Sequence, residues 1–375
     1  MSMELTKCKL GEVATLLNGR AYLMPELQDS GKYRILRVGN LSGGNDSWYY
    51  SDMELDDNKY CESGDLLYAW ACNFGPHIWK EEKVIFHYHI WKLVVDQKKI
   101  NKFFLYYYLL HQTPFYLGGV NGSTMVHITK KNMEKKTIYI PCSLETQHHI
   151  ASILSTYDSL IENNTKRIRL LEKMAENLYK EWFVRFRFPG HENVKMVNGL
   201  PNGWKKGALS DVCEFKRGKN ITSSEMKDGT IPVISAGITP SGFHSHANVY
   251  GISVTMSSSG ANAGYIAVHY SDIWAADCSY IEEASTPYIY YVYELLNNIR
   301  SIINNFQRGA AQPHVYPKDI NRIKMIIPSE DIRKKANEKI GVIHRHIDNL
   351  QRQNSLLARQ RDLLLPRLMS GKLEV

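Results

Sequence analysis

The feature that most constrains this 375-residue chain is that it repeats itself with a period near half its length. Near the start stands Leu10-Gly-Glu-Val-Ala-Thr-Leu-Leu-Asn-Gly-Arg20, and much later Leu209-Ser-Asp-Val-Cys-Glu-Phe-Lys-Arg-Gly-Lys219, with Leu, Val, Gly and a basic residue in register. A second pair is stronger. Gly122-Ser-Thr-Met-Val-His-Ile-Thr-Lys-Lys131 and Gly309-Ala-Ala-Gln-Pro-His-Val-Tyr-Pro-Lys318 share Gly, His and Lys, and run on to Pro141 and Pro328, 19 residues from Gly to Pro in both copies. The aromatic segments Phe103-Phe-Leu-Tyr106 and Tyr290-Tyr-Val-Tyr293 align at the same offset of 187. A period this long is that of two tandem modules, not of a solenoid.

After each Pro comes a long segment of helical period. Ile150, Ile153, Tyr157, Leu160, Leu171, Met174 and Leu178 follow the alternating 3,4 spacing of a coiled-coil seam. Shifted by 190, Ile340, Ile343, Ile347, Leu350, Leu357, Leu364 and Leu368 do the same, with Arg361 in the slot of Leu171. Asn164 and Asn354 occupy one seam position, a device that fixes register and partner at some cost in stability. Helices of about 36 residues would be roughly 54 Å long. Two equal stripes in one chain most simply bury each other, and the intervening module is long enough for an antiparallel return.

The segments before the helices are β-rich runs, such as Lys83–Val95 and Gly251–Met256, between Gly, Asn, Ser and Asp clusters, each followed by an aromatic helix, Asn101 to Tyr116 and Pro287 to Phe306. The expected fold is α+β: two similar mixed α/β modules separated by two long helices in an antiparallel coiled coil, with a pseudo-twofold internal repeat. Breakers place the modules at residues 1–142 and 189–328 and the helices at 143–188 and 329–375. No apolar run approaches a membrane span, and MSMELTKCKLGE lacks the apolar stretch of a signal peptide, so a cytoplasmic location is expected. The six cysteines are scattered, with no C-x-x-C pair, and are expected as reduced thiols.

The common catalytic constellations are missing. There is no G-x-x-x-x-G-K-[ST] loop, no G-x-G-x-x-G opening a helix, and no Asp/Asn-Pro-Pro-aromatic motif of amino-methyltransferases. No catalytic residue, metal site or bound cofactor is therefore expected. Two weak patterns remain. Asp65 with Glu81 and Lys83 mimics a metal-dependent nuclease triad, without a counterpart in the second copy. His87-Tyr-His89 and His244-Ser-His246 would place both rings of each pair on one face of a strand, without an evident third ligand.

What recurs instead is equipment for DNA. Arg20, Tyr22, Arg34, Arg37, Asn40 and Trp48 cluster in the first module; Arg217, Lys219 and Asn220 hold similar positions in the second. Loops containing Asn121 and Ser123, Ser258 and Asn262, and Arg308 and Gln312 mix Gly with hydrogen-bonding residues, and Lys131 and Lys318 follow them. Gly-rich backbone approaches phosphates closely, and Arg, Asn and Gln match base edges. The net charge of +8 divides as +2, +1, +1 and +4 over residues 1–142, 143–188, 189–328 and 329–375. The modules are only mildly basic, which suggests that a partner shares the DNA.

At this point several passages resemble the specificity subunit of type I restriction-modification systems, over essentially the whole chain. They are Ile140-Pro-Cys-Ser-Leu-Glu-Thr-Gln-His-His-Ile150 running into Ile153-Leu-Ser-Thr-Tyr-Asp158, Glu181-Trp-Phe-Val-Arg-Phe-Arg-Phe-Pro-Gly190, Leu200-Pro-Asn-Gly-Trp204 and Leu368-Met-Ser-Gly-Lys-Leu-Glu-Val375. The second helix entry departs from the pattern, with a three-residue insertion before Ile340. The resemblance implies two target recognition domains, each reading one half of a bipartite, asymmetric sequence in double-stranded DNA. The helix pair would set the spacer and dock two methyltransferase subunits, with restriction/translocase subunits joining for cleavage. The chain would be non-catalytic, and the partners would use S-adenosylmethionine, and ATP with Mg for restriction. The rival expectations are a coiled-coil adaptor without specific DNA contacts, and the nuclease of Asp65, Glu81 and Lys83.

Overall fold

Both halves of the chain build the same pair of sheets. The computed structural model describes residues 3–41, 47–72, 74–117, 128–309 and 313–373. The first half contains β1 (Leu5–Lys9), α1 (Leu10–Val13), β2 (Ala14–Asn18), β3 (Tyr33–Leu36), α2 (Val38–Leu41), β4 (Tyr49–Ser51), β5 (Tyr60–Cys61), β6 (Leu66–Ala69), β7 (Gly75–Ile78), β8 (Val84–Phe86), β9 (Ile90–Val95), α3 (Lys102–Leu117), α4 (Lys130–Glu134) and β10 (Thr137–Pro141), then the long helix α5 (Leu144–Tyr179). One antiparallel sheet runs β2-β9-β6-β7 and a second β4-β3-β8-β5, in which β3 and β8 are parallel. β1 pairs with β10, just before α5.

The second half follows a short hairpin, β11 (Met196–Val197) and β12 (Leu200–Pro201), with β13 (Lys205–Ala208), β14 (Lys216–Arg217), β15 (Ile231–Ile234), β16 (Gly242–His244), β17 (Ser253–Ser257), β18 (Ile266–His269), β19 (Trp274–Ala275), β20 (Cys278–Glu282), α6 (Ile289–Asn298), α7 (Arg300–Asn304), α8 (Pro317–Ile320), β21 (Lys324–Ile327) and the second long helix α9 (Glu330–Met369). Its sheets run β14-β20-β17-β18 and β16-β15-β19, with β15 and β19 parallel, and β13 pairs with β21. This is the first topology again, except that β5 has no counterpart in the three-stranded sheet. β6 and β17 lie inside their sheets and are buried at every residue, as strands covered on both faces are.

Three expectations need correction. The run from residue 83 to 95 is not one strand: it turns at residues 87–89, so His87 and His89 sit at the tip between β8 and β9 instead of on one strand face. The turn is closed by Ile90 N, which donates back to His87 O at 3.0 Å, so the strand cannot continue through it. The second aromatic helix breaks at Ile299, whose backbone leaves helical geometry (φ −97°, ψ 13°) while its side chain stays buried. The seam of α5 is also displaced. Leu160 is 47% and Met174 58% exposed, whereas Leu154, Ile168 and Ala175 are buried. A strict a/d seam serves one partner helix; this helix also packs on a module and needs a wider face. α9, by contrast, starts at Glu330 and continues through the insertion for 40 residues.

The chain divides into two compact units, Met1–Glu162 with Asn354–Val375, and Asn163–Gln353. In the first, Ile150, Ala151 and Leu154 of α5 and Leu365, Leu368 and Met369 of α9 share one core with Phe104, Leu105 and Tyr108 of α3 and Leu16, Leu66 and Leu93 of the antiparallel sheet. Asp158 of α5 holds Arg361 of α9 and accepts from Tyr107 of α3 at 2.6 Å. In the second, Ile168 and Ala175 of α5 share a core with Ile340, Ile343, Ile347 and Leu350 of α9 and with Tyr291, Leu295, Val254 and Ile281. Within each unit, then, an early stretch of one helix packs with a late stretch of the other, in the antiparallel sense.

The second unit has its own polar tie. His344 of α9 is 1% exposed, places Nε2 3.0 Å from Glu294 Oε1 of α6, and pairs Nδ1 with the Tyr270 hydroxyl at 2.8 Å. His344→Ala strands the buried Glu294 carboxyl and is expected to lower stability by about 3 kcal/mol or more, whereas replacing both His344 and Glu294 by Leu recovers most of that loss. Urea unfolding of the single and double variants measures both.

Candidate nucleic-acid interface

The repeated topology leaves one end of each antiparallel sheet as the candidate site. In the second module, Ser253 pairs with His269 and Glu282 at one end, and the next residue, Tyr270, bonds His344 of α9. At the other end, Met256 pairs with Ile266 and Ser257 with Cys278, and the β17–β18 and β19–β20 connections leave from there. In the first module, Leu66 pairs with Ile78 and Leu93 at the end where Ile78 and Trp79 line a groove with Ser155 and Asp158 of α5. Ala69 pairs with Gly75 and Ile90 at the other. In both modules the long helix occupies one end, and loops alone form the opposite one.

A backbone knot holds that loop end together. Gly19 N donates to Ile90 O (3.3 Å) and Arg20 N to Phe86 O (3.0 Å); Gly218 N donates to Cys278 O (2.8 Å) and Lys219 N to Ala275 O (2.9 Å). A Cβ on Gly19 would lie 2.3 Å from Phe86 O, and one on Gly218 2.3 Å from Ala276 O, so only glycine allows this approach. His87 N donates to Leu36 O (2.9 Å), and Ala276 N to Ile234 O (2.8 Å). Arg37 and Asn40 therefore follow β3 into the site as residues 235–238 follow β15.

In the first module the tip is aromatic and imidazole-rich. Trp70 stacks on Trp91 at 5.7 Å and donates Nε1 to Tyr88 O at 2.8 Å; His87 and His89 lie 4.8 Å apart, and Tyr22 stacks on His87 at 6.3 Å. Burial pushes the Tyr22 hydroxyl up. Burial, with smaller contributions from His89 and Arg37, holds the His87 imidazole down at about 4. Arg37 lies over the Tyr49 ring at 4.3 Å, and Asn40 Oδ1 accepts from Arg37 N at 3.0 Å.

The basic residues singled out from the sequence meet different fates. Arg20 reaches the tip but is bound bidentately by Glu26, at 2.7 and 3.1 Å, which holds that carboxyl below its usual range. Arg34 lies outside the tip, over Trp48 at 4.5 Å and paired with Glu81 and Glu82. Arg217, Lys219 and Asn220 lie beside the second tip, all three exposed. Ser258 is buried, its hydroxyl 3.5 Å from that of Ser279, and Asn262 is half-buried in the β17–β18 loop. Arg308 pairs with Asp319 at 2.8 Å while its backbone bridges to His314. Lys131 lies on α4 and Lys318 on α8; α4 packs against α1, at the far end of β2 from the tip. Asn121, Ser123 and Gln312 lie outside the described residues. Asn164 is buried on α5 and Asn354 half-buried on α9.

Asp65, Glu81 and Lys83 do not form a catalytic group: Asp65 pairs with Lys92 at 2.7 Å, Glu81 with Arg34, and Lys83 covers the Tyr60 ring. Among the described residues no group of three or more His, Cys, Asp or Glu is placed to hold a metal ion. Among them, too, no helix is long and apolar enough to cross a membrane. Sequence reasoning missed Trp70, Tyr88, Ser259 and Asp277 at the tips. Only the Gly-basic pairs 19–20 and 218–219, which open each site, are visible in the repeat.

The model of the type I restriction modification DNA specificity domain matches residues 3–173 and 201–359. The chain is 28% identical over 303 residues to the type I restriction enzyme MjaIX specificity subunit of Methanocaldococcus jannaschii, covering 72% of this chain and 69% of that protein. It is 24% identical over 247 residues to the EcoBI specificity subunit of Escherichia coli, covering 60% of this chain and 50% of that one. A crystal structure of a type I restriction-modification S subunit from M. genitalium shares the fold, with a TM-score of 0.63 at 19% identity over 98% of this chain and 96% of that one.

Because His87 protonates only near pH 4 in the folded state, against about 6.5 when unfolded, the unfolded chain binds the extra proton between those values. Stability from this group is present above about pH 6.5 and lost as pH falls toward 4. Imidazole NMR titration should show His87 neutral down to about pH 4. Arg37→Ala should raise its midpoint while leaving it below the ordinary histidine value, because burial is the larger cause.

Proposed function

The chain belongs to the family of type I restriction-modification DNA specificity subunits, and on that footing we propose that each of its two modules reads one half of a bipartite, asymmetric target in double-stranded DNA. The observation that carries this reading is the pair of loop ends: one backbone knot, at Gly19 and at Gly218, displays different side chains in the two modules. Equal scaffolds with unequal tips suit two unlike half-sites. Loop ends opposite the long helices leave the modules open to a duplex, while Trp70, Tyr88, Lys219 and Asn220 supply groups for base edges and backbone.

In this reading the chain performs no chemistry. The long helices fix the separation of the half-sites and dock two methyltransferase subunits, which bring S-adenosylmethionine; restriction/translocase subunits, with ATP and Mg, complete the cytoplasmic complex. The exposed Leu160 and Leu170 of α5 and Leu356 and Leu363 of α9 support docking on the helices, because large apolar side chains on a solvent face favour a partner.

Adding one helical turn to both α5 and α9 should lengthen the unread spacer by about one or two base pairs, since a turn rises about 5.4 Å and a base pair about 3.4 Å. Long-read mapping of methylated adenines in cells carrying the chain and its partners reads the spacer directly. An unchanged spacer with both half-sites retained would refute the helices as its determinant.

A further inference from the structure

We propose that Asp277 is a base-reading residue of the second module, accepting a hydrogen bond from the exocyclic amino group of cytosine, N4, in the major groove. This rests on the proposed DNA-reading function and names the contact that one half-site requires.

The position follows from the repeat. The backbone knot equates Ala276 with His87 and Cys278 with Ile90, so the single residue Asp277 occupies the tip where the first module carries Tyr88 and His89. The carboxylate is held in place: Ser259 Oγ donates to Asp277 Oδ2 at 2.5 Å. Ser259 is itself fixed by a backbone bridge to His314, and Ser258 N points at Asp277 O at 3.5 Å. Asp277 is half-buried, and among the described residues no Lys or Arg lies within ion-pair distance of it. Arg308, nearby in the same loop cluster, is taken by Asp319.

A carboxylate without a cationic partner is the wrong group for meeting phosphate, which it repels. It is the right group for an amino donor on a base edge: Asp accepts from cytosine N4, and it has no donor with which to satisfy the O6 and N7 acceptors of guanine. With one oxygen anchored by Ser259, the other is presented with little freedom left to lose. The first module offers no carboxylate at the equivalent place; its tip carries imidazole and phenol groups, which donate as well as accept, and an indole. The two half-sites therefore differ in chemistry as well as in sequence.

The test maps methylated motifs in cells expressing the partner subunits with the native chain, Asp277→Asn or Ser259→Ala. The native motif should show a C·G pair at the position where Asp277→Asn relaxes discrimination roughly tenfold or more, because only that pair presents cytosine N4 in the major groove. Ser259→Ala should relax the same position to a smaller extent, and the other half-site should keep its sequence in both variants. If Asp277→Asn leaves the motif unchanged, or relaxes only an A·T pair or a position in the other half-site, the inference is overturned while the two-half-site reading stands. If Asp277→Asn abolishes modification altogether, Ser259→Ala decides: relaxation at one C·G pair supports the inference, and an unchanged motif or relaxation of an A·T pair alone overturns it. A native chain that directs no bipartite motif overturns the underlying function instead.

Discussion

Everything in this fold depends on where the long helices bury their apolar faces. A helix of 36 residues with an apolar stripe is not stable in water by propensity, and its partner cannot cover the whole stripe. The chain solves this by letting each helix complete a module's core. In the first unit, Ile150, Leu154, Leu365 and Leu368 come from opposite ends of the two helices and are buried together with the α3 aromatics. At about 1.5–3 kcal/mol for each fully buried side chain, those four residues contribute roughly 6–12 kcal/mol, as large as the net stability of an ordinary domain. The modules and helices are therefore not separable parts, and the C-terminal residues of α9 are needed to finish the module built by the N-terminal strands.

Duplication preserved this junction while its polar chemistry diverged. Tyr107 and Glu294 stand at the aligned offset of 187, one on α3 and one on α6. Tyr107 donates to Asp158, which holds Arg361; Glu294 meets His344, which is bonded in turn to Tyr270. Each unit thus ties its aromatic helix to a long helix through a hydrogen-bonded triad, with different residues in each. Satisfied buried networks add little to stability but penalise any shifted register, because a displaced partner leaves a polar group stranded. That is the property the proposed role of the helices as a spacer would require.

The legible and illegible parts of the sequence divide by range of interaction. The repeat, the aromatic helices and both long helices are visible in it, because helical period and residue matches are local signals. The displaced seam at Leu160 and Met174 is not, since nothing local says that α5 serves a module as well as a helix. The sites are half visible. Gly19-Arg20 and Gly218-Lys219 stand in register, but their role depends on carbonyls of Phe86 and Ala275 some 60 residues away. His87-Tyr88-His89 reads as strand because alternation of apolar and polar residues does not reveal a turn. The ion pairs that occupy Arg20 and Arg34 depend on loops and sheets that only folding brings together.

Those ion pairs also bear on how tightly the modules can hold DNA. The modules carry a net of only +2 and +1, and part of their basic inventory is already spent on Glu26, Glu81, Glu82 and Asp319. Breaking such a pair to reach a phosphate exchanges one charge contact for another, with small gain, so these arginines add less to DNA affinity than their number suggests. If the modules read DNA as proposed, this charge distribution favours discrimination between bases over holding the duplex. The +4 of residues 329–375 lies largely on α9, away from the tips, and cannot make up the difference there. On the proposed function, strong binding would then fall to partner subunits that hold the same DNA, with recognition in this chain and most of the grip in them.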